Sequence, residues 1–223
     1  MPAPAFTHCW KADLSAGGAV DLSVLSPTEH ARRARFHYDA HRQTYGRAHV
    51  FLRQILARYT GIRPEKLLFG TELREKPTLL APEPLHFNLS YRADWALLAL
   101  SNRYPVGTDV EPLRPVIDAE ALIDQLFSAA EKTALRHSPT VDWTRLFYGI
   151  WTRKEAYAKA QGMGLALPFA EFSVLINRAD TAEWCQPAGV QLANVPVAAD
   201  YLGAVGALTT VSAVTWQHYQ FPA

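Results

Sequence analysis

Apolar residues in the second quarter of the chain recur at helical spacing. Ala48, Leu52, Ile55, Leu56 and Tyr59 fall on one stripe, which predicts a helix from Asp39 to about Thr60 with Gly61 as its stop. A shorter helix precedes it over Ser26–Phe36, with Ser26 as N-cap, Pro27 at the first helical position and Glu29 in the acidic first turn. The residues up to about Trp10 read as a strand. From Arg63 to Pro84 four prolines break the pattern, and loops around short extended pieces are expected. Leu85–Ser90, Trp95–Ser101 and Pro105–Glu111 then read as strands, the first two joined by a turn at "YRAD". Beyond them come helices over roughly Asp118–Phe127, Ser128–Arg136 and Val141–Gln161. Strands follow near Glu171–Ile176, Gly189–Asn194 and Tyr201–Thr210.

Helices and hairpin-joined strands in this order make an α+β protein. "SNRYP" (Ser101–Pro105) is the candidate boundary, which divides the chain into 1–103 and 104–223. "DWALLALS" closes the first half and "DYLGAVGALT" closes the second, a weak sign of a duplicated unit, since apolar strands resemble one another by chance.

The 223 residues are 49% hydrophobic and 19% charged, ordinary for a protein with a real core. A net charge of +1 gives no global field that would suggest nucleic acid or an acidic membrane. Two distant cysteines, Cys9 and Cys185, favour a reducing cytoplasm over a disulfide framework. No apolar run is long enough to span a membrane, and the first residues lack the pattern of a signal peptide.

Chemistry enters with "GTDVE". Asp109 and Glu111 are two apart on a strand, so their carboxylates share a face. Like charges so placed repel unless a cation lies between them, and an all-oxygen set suits Mg²⁺. An acidic strand end in solvent is the alternative. Gly107 would admit a ligand or another backbone at close range. In the long helix, Phe147, Trp151, Glu155 and Lys159 continue one slowly drifting stripe that starts apolar, so Glu155 and Lys159 face inward or toward an interface. The competing reading is a one-turn Glu–Lys salt bridge, worth about 0.2–0.5 kcal/mol. Lys154 falls on a different face, and Gly162 supplies the helix stop. Lys76 stands extended before Pro77, as a solvated loop lysine or a phosphate contact. Asn88 and Ser90 share one face of their strand, and Arg32, Arg33 and Arg35 form a short basic cluster. Apolar residues after Glu111 (Val116, Ile117, Leu122, Leu126, Phe127) suit a core or a docking surface.

In order, "DAHR" (39–42), "KP" (76–77), "FNLS" (87–90), "GTDVE" (107–111), "WTRKEAYAKAQGMGL" (151–165) and "FSV" (172–174) resemble the Sfp-type 4′-phosphopantetheinyl transferases, with a "W…KEA" form like one of the family's subgroups. The resemblance spans about Ser26 to Val174. It implies two similar, pseudo-duplicated α+β halves with the active site in the cleft between them, in a cytoplasmic monomer. It implies coenzyme A as co-substrate, Mg²⁺ (or Mn²⁺) as cofactor, and an apo acyl or peptidyl carrier protein as partner, with neither nucleic acid nor membrane involved. Asp109, Glu111 and Glu155 would hold the metal, and Glu155 and Lys159 would be catalytic. Lys159, Lys76, Ser90 and Tyr91 would meet phosphates, with Arg42 and Arg32 or Arg35 near the adenosine 3′-phosphate. Many relatives carry histidine where this chain has Tyr91, a phenol that hydrogen-bonds without positive charge. The rival functions are another Mg²⁺-dependent phosphate-transfer enzyme or hydrolase, and a non-catalytic module binding coenzyme A or a carrier.

Overall fold

The computed structural model describes residues 6–16, 18–71, 76–175 and 189–209. Its strands are β1 (Thr7–Asp13), β2 (Phe69–Thr71), β3 (Pro77–Leu79), β4 (His86–Arg92), β5 (Trp95–Ser101), β6 (Val106–Pro112), β7 (Gln191–Val195) and β8 (Tyr201–Ala207). Its α-helices are α1 (Pro27–Ala34), α2 (Asp39–Thr60), α3 (Ala119–Leu126), α4 (Ala129–His137) and α5 (Thr140–Gln161). This is a mixed helix-and-sheet, α+β architecture.

Two three-stranded antiparallel sheets carry the molecule, in the orders β1-β5-β4 and β6-β8-β7, and β2 and β3 pair separately. In each large sheet the strand that comes last in the chain lies in the middle. The two look-alike stretches "DWALLALS" and "DYLGAVGALT" supply those middle strands; Thr210, the last residue of the strand predicted from Tyr201, lies outside the described residues. Each middle strand is also entered alike. Leu14 N–H donates to Asp94 O at 2.6 Å just beyond β1, and Leu113 N–H donates to Asp200 O at 2.7 Å just beyond β6.

The stripe of α2 is buried as its spacing predicts. Ala48, Leu52, Ile55 and Leu56 pack on Phe87, Ala96, Leu98 and Leu100 of the first sheet. Helix α5 covers the second sheet through Phe147, Ile150 and Ala156, against Leu192 and Ala204. Leu97 and Ala99 share a further core with Val106, Val110 and Val205, which joins the two sheets. Both long helices have 22 residues and end on a left-handed glycine, Gly61 and Gly162, a conformation that costs glycine no Cβ clash. Phe127 is core, and Val116, Leu122 and Leu126 pack against the core, whereas Ile117 is exposed.

The predicted strand at Glu171–Ile176 does not form. Phe169–Glu171 is a short 3₁₀ turn, residues 173–175 are irregular, and Ile176 lies outside the described residues. Side chains take the backbone groups that a strand would have paired. Lys154 Nζ donates to Phe169 O and Phe172 O, Arg153 Nε donates to Val174 O, and Val174 N–H donates to Glu131 Oε1. Lys154 and Glu131 form a fully buried ion pair at 2.9 Å. Glu131 is also the N3 residue of a capping box with Ser128 at the start of α4.

Candidate active site

Strands β4 and β6 are the edges of their respective sheets, and they face each other across a seam. No backbone ladder joins them. Side chains of β4 do so instead. Asn88 Oδ1 accepts from Thr108 N–H at 2.8 Å, Ser90 Oγ donates to Asp109 Oδ1 at 3.0 Å, and Arg92 Nε approaches Glu111 Oε2 at 3.4 Å. Strand alternation therefore presents Asn88, Ser90 and Arg92 to the seam in turn.

Helix α5 lies over this seam with no side chain between it and β6 at Gly107. A Cβ on Gly107 would fall 2.1 Å from Ala156 O and 2.3 Å from Ala160 N. The close approach expected at this glycine is to the helix backbone. It brings Lys159 within reach of β6. Lys159 Nζ meets Asp109 Oδ1 at 2.6 Å and donates to Thr108 O at 3.2 Å and to Ser90 Oγ at 3.4 Å. The one-turn salt bridge with Glu155 is thus not what the structure holds, because the ion pair of Lys159 crosses to Asp109. Glu155 is half-buried on the same stripe, as its inward drift predicts.

Asp109 is 5% exposed, and its Oδ2 is buried without a hydrogen-bond partner. Burial raises the pKa of Glu111 above the usual carboxylate range, and the neighbouring Asp109 charge adds to it against the opposing pull of Arg92 and Lys159. Burial likewise raises that of Glu155, with Lys159 opposing and Asp109 reinforcing the rise. The three carboxylates are therefore electrostatic neighbours. Among the described residues, however, no three or more His, Cys, Asp or Glu side chains stand close enough to form a metal cluster unaided.

The other expected residues are spread more widely. Arg32 and Tyr91 both line a cavity of about 440 Å³, together with Glu29, Tyr45, His49 and Asn88. The Arg32 guanidinium lies 5.9 Å from the Tyr45 ring centre. Burial raises the Tyr91 pKa, and Arg32 opposes the rise. Arg35 is exposed at the end of α1. Arg42 sits in the α1–α2 link, where it pairs with Asp39 and donates to Phe36 O at 2.6 Å. Lys76 is neither a solvated loop lysine nor directed at the Asp109 seam. Its ammonium donates to Lys159 O at 2.7 Å, Val106 O at 3.1 Å and Ala160 O at 3.3 Å.

Two contributors escaped the sequence pattern. Arg92 bridges the seam beside Asn88 and Ser90, and its alternation with them along β4 was the available signal. His49 borders the cavity and its Nδ1 lies 2.9 Å from Glu29 Oε1. It sits on the α2 helix one residue after the apolar stripe begins.

Residues 105–198 match the 4′-phosphopantetheinyl transferase superfamily. The chain is 38% identical over 165 residues to the 4′-phosphopantetheinyl transferase HetI of Nostoc sp., covering 71% of this chain and 70% of HetI. The chain belongs to the 4′-phosphopantetheinyl transferase superfamily. It is also 30% identical over 159 residues to the transferase Sfp of Bacillus subtilis, across 70% of this chain and 69% of Sfp. With AcpT of Salmonella typhimurium it shares 30% over 173 residues, 78% of this chain and 81% of AcpT. The matched region of this transferase runs from just before β6 to just after β7, and so includes Asp109, Glu111, Glu155 and Lys159. Among its described residues no helix is long and apolar enough to cross a membrane.

Proposed function

We propose that this phosphopantetheinyl transferase moves the 4′-phosphopantetheine arm of coenzyme A to a serine of an apo acyl or peptidyl carrier protein, with Mg²⁺ held by Asp109, Glu111 and Glu155. The observation that carries the reading is Asp109. One of its oxygens takes Lys159 and Ser90, while the other is buried without a donor. A carboxylate oxygen so placed is under-satisfied unless a cation reaches it. Mg²⁺ commonly keeps waters and takes substrate phosphate oxygens alongside one or two carboxylates, so a preformed cluster is not required. When bound, the ion neutralises charge that builds on the diphosphate.

The chain's own residues do the rest. The serine oxygen forms a bond to the β-phosphorus as the bond from that phosphorus to the bridging oxygen breaks, and adenosine 3′,5′-bisphosphate leaves. Lys159 moves from Asp109 toward the diphosphate and stabilises the developing charge. The serine proton passes to Glu155, whose proton affinity burial has raised, or to water. The cavity beside Arg32 and Tyr91 suits the nucleotide end of coenzyme A in size, with Arg32 as its cation. On this reading residues 1–103 bring the cofactor-side contacts and residues 104–223 bring the metal and Lys159.

Incubating the protein with coenzyme A, Mg²⁺ and an apo carrier should add one phosphopantetheine to the carrier, read by intact mass. Asp109→Ala should abolish the gain while circular dichroism stays unchanged, and Lys159→Ala should slow it by about 10²-fold or more. Near-full activity of Asp109→Ala would sink the metal assignment.

A further inference from the structure

Lys76, expected as a phosphate contact, is tied to backbone carbonyls of two other elements. Its ammonium donates to three backbone acceptors, Lys159 O, Ala160 O and Val106 O. Two of these belong to the last turn of α5, where the helix dipole favours a cation. The third opens β6, one residue before Gly107. The ammonium therefore bridges helix and strand at the place where their backbones touch. Lys159 carries one of the clamped carbonyls, and its side chain reaches Asp109 three residues along the strand from Val106.

We infer that Lys76 is a positioning residue for the transfer: it clamps the end of α5 to the start of β6 and thereby holds the Lys159 ammonium at the Asp109 seam. The inference rests on the reading that Lys159 acts at the diphosphate. Released from this clamp, the last turn of α5 frays, because only the Gly162 and Met163 N–H groups then cap Ala158 O and Lys159 O. A shift of about 1 Å in an acting group can cost about 10²-fold in rate without changing how tightly substrate binds elsewhere.

The test compares Lys76→Met, Lys76→Arg, Lys159→Ala and Lys76→Met/Lys159→Ala in steady-state carrier loading, with thermal melts to confirm folding. Clamping predicts that Lys76→Met lowers kcat by about 10–100-fold while KM for coenzyme A stays within about twofold. Lys76→Arg should lose kcat similarly, because a planar guanidinium does not fit a nest of three carbonyls built for a compact ammonium. It also remains a folded probe if the Met variant melts. In the Lys159→Ala background, Lys76→Met should have no further effect on kcat, since a group acting through Lys159 has nothing left to position. A raised KM for coenzyme A in Lys76→Met, restored by Lys76→Arg, would instead make Lys76 a phosphate contact and overturn the inference. Additive losses in the double variant would reduce it to general stability. Full activity of Lys159→Ala alone would mark failure of the underlying functional reading, a result distinct from the other two.

Discussion

Each long helix of this protein hides a cation, and the two hiding places are built alike. Arg53 and Lys154 lie at the same distance from the first residues of α2 and α5. Each meets the N3 glutamate of a capping box, Glu29 at the head of α1 and Glu131 at the head of α4. Each also donates to carbonyls in the segment that follows its own helix. Arg53 reaches Pro64 O and Leu67 O, and Lys154 reaches Phe169 O and Phe172 O. One glutamate thus caps a short helix and fixes that helix against a long one. The difference lies in who else shares the carboxylate. Glu131 is sealed, with side-chain exposure of 0% on both partners. Glu29 is 10% exposed at its side chain, and His49 joins it at the edge of the 440 Å³ cavity. The sealed lock immediately precedes Glu155, while the open lock borders the cavity we assign to the nucleotide. On the proposed assignment, rigidity lies beside Glu155 and adaptability beside the cavity.

The sharpest way to break this comparison is to remove one cation at a time. Lys154→Met leaves Glu131 buried without its partner and should cost about 3–5 kcal/mol in urea unfolding. Pairing it with Glu131→Leu should return most of that loss, since no orphaned charge remains. A loss well under 1 kcal/mol for Lys154→Met alone would mean that the lock is not sealed.

Acid should find the open lock. Burial tends to raise the Glu29 pKa, but hydrogen bonds from His49, Arg53 and Ser26 outweigh it and hold the group down at about 2, against 4.5 for an ordinary glutamate. A depressed carboxyl pKa stabilises the fold fully above the unfolded value. The contribution is lost as pH falls from about 4.5 through about 2, on the order of 3 kcal/mol in all. Glu29→Gln should flatten that limb of the stability–pH curve, and an unchanged limb would remove Glu29 from the account.

The smallest effect is expected from Arg53→Met. His49 and Ser26 still serve Glu29, and the cavity lets water approach, so about 1–3 kcal/mol is expected. If this loss matched that of Lys154→Met, the distinction between sealed and open would fail.

Periodicity and punctuation made α2, α5 and their terminal glycines legible, because 3.6-residue stripes and left-handed stops are local signals. The Asp109–Glu111 spacing was legible for the same reason, since a strand's period of two is local. What stayed hidden was long-range. Nothing near Lys154 announces that Glu131 will meet it, and a fully buried ion pair is invisible to a hydropathy pattern. The error at Glu171–Ile176 has the same origin: the apolar run was there, but Lys154, Arg153 and Glu131 claimed its backbone. Lys76 likewise looked free because its three acceptors lie on β6 and α5, remote in the chain.

The bare contact at Gly107 has a bearing on how such an enzyme diversifies. The gap between β6 and α5 there is set by the radii of peptide atoms, which no substitution on either element can adjust inward, and any side chain at 107 would push outward. The approach of the α5 backbone to β6 therefore behaves as a fixed gauge, while the Lys159 side chain stays free to swing from it. On the proposed function, a change of preferred partner would have to draw on surfaces away from that gauge, so preference can drift among descendants while the helix-to-strand spacing is inherited unchanged.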